Sequence, residues 1–80
     1  MDRQEIMKKI NYIFKDIFDD DTLSVSDNTT PSDIPEWDSL QHINLISMLE
    51  KEFCITFEVD EIVSMEKVGD IREILEKKVS

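Results

Sequence analysis

Glycine is nearly missing from this 80-residue chain: there is one, alongside two prolines. A turn-rich β protein draws on both residues for its turns, and disordered chains are enriched in both, so neither class is expected. There is one cysteine, Cys54, so no internal disulfide can form. With His42 as the single histidine, a Cys/His zinc site cannot be assembled either. Cys54 follows Phe53 in an apolar run and reads as a small buried hydrophobe, not a reactive thiol. No apolar run approaches the roughly 18 residues of a membrane span. The opening MDRQEIMKKI lacks the apolar centre of a signal peptide. A cytoplasmic chain without membrane insertion is therefore expected. Basic side chains are scarce as well: 9 Lys and Arg stand against 19 Asp and Glu, a net charge of −10. Nucleic acids and anionic membrane surfaces both select for basic patches, so neither is an expected partner. The acidity points to a partner with a basic face, or it serves only to keep a small protein soluble.

What is present suits a small helical domain. Apolar residues at 40% and charged residues at 35% fit a soluble globular fold. Residues 1–80 are read as one domain and as a monomer. A chain this short buries only about 60–65% of its unfolded surface, which leaves little room for a deep catalytic cleft. Ile6, Ile10, Ile13, Phe14 and Ile17 fall on one helical face, with Asp2 and Glu5 as a D-x-x-E start signal. The aspartates Asp19 to Asp21 end that helix, since negative charge is unfavourable at a helix C-terminus. Residues 19–37 read as a long connection anchored by Leu23, Val25, Ile34 and Trp37, with room for a short helical turn. Burying the Trp37 indole there would staple the loop to the core; the alternative is a role in partner recognition. A second helix is expected over Ser39 to Phe53, with Leu40, Ile43, Ile46, Leu49 and Phe53 as its inward stripe and Asp38 as its N-cap. The CITF segment reads as an extended linker with Ile55 and Phe57 turned inward. A short third helix follows, with Val59, Ile62 and Met65 inward. The last helix spans about Lys67 to Val79 on Val68, Ile71, Ile74 and Leu75, with Gly69 admitted for close packing. The expected fold is an all-α four-helix bundle of three longer helices and one short third helix, with a long first loop.

Few chemistries fit these residues. The acidic run from Asp19 fails as an EF-hand loop: its fifth and sixth positions are Leu23 and Ser24, and its twelfth is Thr30. Ser39 and His42 lie three apart and share a helix face, so a small esterase is conceivable. No G-x-S-x-G elbow surrounds the serine, however, and nothing supplies an oxyanion hole. His42 then reads as a partly exposed surface residue. Ser39 is either a plain helix-start residue or a hydroxyl presented for modification. A phosphate attached there would lie near the positive end of the helix dipole.

The run Asp38-Ser39-Leu40, followed by HINLISMLEKEF and later KVGDI, resembles the acyl carrier proteins over nearly the whole chain. The resemblance implies a non-enzymatic carrier with that family's four-helix fold. It implies that Ser39 is esterified with 4′-phosphopantetheine from coenzyme A by a phosphopantetheinyl transferase. The arm's thiol would then carry acyl or aminoacyl groups as thioesters to loading, condensing or transfer enzymes with basic docking surfaces. Asp38 would assist the transferase complex. Leu40, Asn44 and Glu50 would join it in partner recognition, with charge-driven docking that weakens as salt rises. Ile43, Ile46, Ile62 and Met65 are the candidates to line a space for the attached chain. No resident metal is implied.

Two departures separate the chain from fatty-acid carriers. Glu36 stands where their G-x-D-S-L pattern has glycine, with Trp37 next. Asn44 and Lys51 interrupt the acidic face of helix two. The pattern looks more like discrete carriers of polyketide, nonribosomal peptide, cell-envelope or D-alanine transfer systems. D-alanyl or peptidyl carriage is thus an alternative cargo. An acidic helical adaptor with a purely structural Ser39 is the rival from another class.

Overall fold

The computed structural model describes residues 2–79. Its helices are α1 (Arg3–Ile17), α2 (Ser39–Phe53), α3 (Val59–Ser64) and α4 (Val68–Val79), with a 3₁₀ turn at Pro31–Asp33. No strand occurs among the described residues, and the expected all-α bundle is found. α1 packs against both α2 and α4.

α1 begins as the D-x-x-E pattern requires, with Asp2 Oδ1 accepting the Glu5 N–H at 2.9 Å. It buries Ile6, Ile10, Ile13 and Phe14, while Ile17 is half-buried at its end. Asp19, at φ 50°, turns the chain out of the helix. Aspartate tolerates this left-handed conformation better than most residues.

The connection between α1 and α2 is long but tied down. Val25, Ile34 and Trp37 are buried in it and Leu23 packs partly against the core. Asn11 on α1 fixes Val25 at both backbone groups: its Nδ2 donates to the Val25 carbonyl at 3.1 Å and its Oδ1 accepts the Val25 N–H at 2.7 Å. Further on, Thr29 and Asp27 carbonyls accept the N–H groups of Val68 and Gly69, both at 2.9 Å. The loop thus caps the first turn of α4, whose N–H groups have no partner within the helix. Arg72, only 6% exposed, donates through Nε to Asp27 Oδ1 at 2.8 Å and also bonds Glu76. Such fastening lets a compact domain keep so long a loop.

Three expectations about side chains are corrected. In α2 the inward stripe is Leu45, Ile46, Leu49 and Phe53; Leu40 and Ile43 are 67% and 61% exposed. In α3 Val59 faces solvent at 73% exposure, and only Ile62 and the following Met65 pack on the core. Cys54 is exposed, not buried. It holds the left-handed position that closes α2, φ 56° and ψ 48°, and its N–H donates to the Glu50 carbonyl. That role is commonly taken by glycine, which this sequence hardly has.

Phe57 is buried and Ile55 half-buried, as the linker reading requires. α4 begins one residue later than expected and buries Val68, Gly69, Ile71, Arg72 and Leu75, with Ile74 half-buried. Lys78 bridges to Glu61 at 3.0 Å and joins the end of α4 to α3.

Candidate functional site

The site forms where the long loop enters α2. Trp37 is 7% exposed, and its indole meets the Phe14 ring edge-on at a centroid distance of 5.1 Å. This fixes the chain just before the helix. Asp38 follows as N-cap, with Oδ1 accepting the Gln41 N–H at 2.9 Å. Ser39 is therefore the first residue of α2, and it is exposed. Its hydroxyl makes no hydrogen bond among the described residues, because the capping is done by Asp38.

Beside Ser39 lies an open groove of about 590 Å³ between the loop, α2 and the α3 region. Pro31, Trp37, Asp38, Ser39, His42, Ile43, Ile62, Val63 and Met65 line it. The groove unites several residues that the sequence reading had named separately. Ile43, Ile62 and Met65 are on its wall. Ile46 is not; it lies 6% exposed in the core. Asp38, Leu40 and Asn44 are exposed near the serine. Glu50 departs from the expected exposed docking acid: it is half-buried, and its Oε2 accepts the Phe57 N–H at 2.9 Å, fastening the linker after α2.

Val63 and Pro31 were not foreseen on the groove. Val63 could have been found from its spacing of four from Val59, which puts both on one exposed helical face. A second surprise is the bond from Trp37 Nε1–H to His42 Nδ1 at 3.2 Å. Among the described residues no cluster of His, Cys, Asp and Glu is arranged to hold a metal ion.

An exposed, unengaged hydroxyl at the positive end of a 15-residue helix, opening on a mainly apolar groove, fits a phosphate-linked group attached at Ser39. Comparison with solved structures decides the family. The chain superposes on the holo acyl carrier protein of Geobacter metallireducens with a TM-score of 0.87 and 36% identity, covering 92% of this chain and 85% of that one. The chain belongs to the acyl carrier protein family. An acyl carrier protein of Thermotoga maritima is also similar, at a TM-score of 0.84 and 29% identity over 99% of this chain and 92% of that one. No family model matches the chain, and a search of curated proteins returns no match. Acyl carrier proteins are carriers and not catalysts, so Ser39 and His42 need no reading as a hydrolytic pair. No helix among the described residues is long and apolar enough to cross a membrane.

Proposed function

We propose that Ser39 is the attachment point of a 4′-phosphopantetheine arm, and that the protein delivers acyl or aminoacyl groups between enzymes. The observation that carries this reading is the free, exposed Ser39 hydroxyl on the first turn of α2 beside the groove. When bound, the arm supplies a terminal thiol that holds the cargo as a thioester. The chain's own residues position and present it. Asp38 caps the helix and leaves the neighbouring hydroxyl unengaged. Trp37 fixes the loop against Phe14, so the serine is held on a rigid element. Ile43, Ile62, Val63 and Met65 offer the attached group an apolar wall.

A phosphopantetheinyl transferase acts first, and loading, condensing or transfer enzymes then dock around Ser39, Leu40 and Asn44. The protein works in the cytoplasm as a monomer, in a specialised pathway and not in bulk fatty-acid synthesis. The departures at Glu36, Trp37 and Asn44 support that last point.

The test is an intact mass after incubation with coenzyme A and a broad-specificity phosphopantetheinyl transferase. The chain should gain one phosphopantetheine, and Ser39→Ala should gain none. An unmodified wild type, beside a control carrier that is modified, would leave Ser39 as a helix-start residue of an acidic adaptor.

A further inference from the structure

One polar donor in the groove has no role in attaching the arm. The Trp37 indole N–H donates to His42 Nδ1 at 3.2 Å, and the two rings stack with centroids 6.0 Å apart. A ring nitrogen that accepts a hydrogen bond carries no proton, so neutral His42 holds its proton on Nε2. That Nε2–H has no partner among the described residues. No buried side-chain nitrogen or oxygen lacks a partner there either. Nε2 is therefore open to solvent, although the residue as a whole is half-buried.

The other groove residues leave His42 alone in this capacity. The Trp37 N–H is engaged with His42. The Asp38 carboxylate only accepts, and it repels an anion. Ser39 Oγ is the atom to be esterified. Pro31, Ile43, Ile62, Val63 and Met65 complete the lining and carry no side-chain donor. Ser39 and His42 are three residues apart on α2, a spacing that makes side chains neighbours on the helix surface. A phosphodiester on Ser39 is an acceptor-only anion, the kind of group for which a fixed N–H is a strong partner.

We propose that His42 anchors the root of the arm: its Nε2–H donates to a phosphodiester oxygen on Ser39, while Trp37 fixes the ring's plane and tautomer. This deepens the attachment reading and rests on it. Holding the phosphate at its root limits the directions in which the rest of the arm can leave the helix.

The experiment compares apo and holo protein by nuclear magnetic resonance, with holo formation established beforehand by intact mass. In apo protein, at a pH high enough to keep the ring neutral, the His42 nitrogens should show the proton on Nε2, with Nδ1 as the acceptor. In holo protein the Nε2–H should exchange with solvent about tenfold more slowly, as expected for a bond to a charged acceptor. The phosphorus resonance of the holo form should move in His42→Phe, which keeps a ring against Trp37 but has no donor. His42→Gln restores a donor and should recover much of that shift. Circular dichroism checks that both variants fold; if His42→Phe does not, the apo–holo comparison in the wild type decides. A holo protein with unchanged Nε2–H exchange, or with the same phosphorus resonance in wild type and folded His42→Phe, overturns the anchor and leaves attachment standing. A chain that gains no mass removes the attachment and the anchor together.

Discussion

Gly69 is the residue at which helix propensity and packing pull in opposite directions. In the first turn of α4, alanine would be favoured over glycine by about 0.8–1.0 kcal/mol on propensity alone. A Cβ at this position, however, would stand 2.8 Å from the Asp27 carbonyl oxygen and 3.2 Å from Asp27 Cβ. That oxygen is the acceptor of the Gly69 N–H itself, so it cannot retreat without loosening the loop's hold on the helix. Overpacking of this kind costs about 1–3 kcal/mol. Gly69→Ala should therefore destabilise the protein by about 1–2 kcal/mol, seen in urea as a lower midpoint with an unchanged slope. A more stable variant would mean that the loop yields. The glycine's close packing was legible from its place in a helix, but its neighbour was not, since nothing in the sequence says where Asp27 lies in space. Trp37 was legible because a lone indole beside a helix start has few places to go but the core. Cys54 misled because residue type suggested burial, whereas its left-handed backbone turns the side chain outward.

At the scale of elements, α2 shows how an apolar helix can hide its own orientation. Leu40, Ile43, Leu45, Ile46, Met48 and Leu49 spread around much of its circumference. Two stripes can be drawn that share Ile46, Leu49 and Phe53 and differ only toward the N-terminus. The core takes the one through Leu45. Packing against α1 makes that choice, and no single-helix pattern contains it. Leu40 and Ile43 are left exposed beside Ser39, while Asp38 as cap and Ser39 as first residue were both readable from D-S-L ahead of an apolar run.

The fastening of the long loop to α4 was not readable at all, because Asp27 and Arg72 are far apart in sequence. It has a pH signature. The hydrogen bond from Arg72 holds the Asp27 carboxyl below its ordinary range, against a smaller opposing effect of burial. An acid whose folded pKa lies below its unfolded value, about 3.9 for aspartate, adds stability above the unfolded value. That contribution is lost as pH falls through the folded pKa. Asp27→Asn should thus be less stable than wild type at neutral pH, and the gap should narrow as the solution is acidified below about pH 4. Thermal melts of both proteins across that range measure it; a gap that stays constant would show that folding does not lower the Asp27 carboxyl.

Across the whole molecule, charge and shape are separated. The net charge is −10, yet residues 39–49 contain no Asp, Glu, Lys or Arg. Of the exposed large hydrophobics, Leu40 and Ile43 lie on α2 and Val59 and Val63 on α3, with Ile43 and Val63 both on the groove that opens beside Ser39. A long-range field acts mainly on how fast partners meet, while short-range contacts set how slowly they part. A basic partner should therefore be drawn by the distributed acids and then held largely by uncharged contacts near the groove. On the proposed attachment at Ser39, the Ser39→Ala variant, which keeps the surrounding surface and lacks the hydroxyl, makes this measurable with a phosphopantetheinyl transferase. A fluorophore on Cys54, the one cysteine, reports from the opposite end of α2, about 20 Å from residue 39 at 1.5 Å per residue. Raising the salt from low to several hundred millimolar should slow association by about tenfold or more, because the steering field is screened beyond a few ångströms. Dissociation should stay within about twofold, since an apolar contact offers salt little to screen. If dissociation quickens as steeply as association slows, then acids outside residues 39–49, with Asp38, Glu36 and Glu52 the exposed ones nearest in sequence, lie inside the contact, and the apolar rim is not what holds the partner.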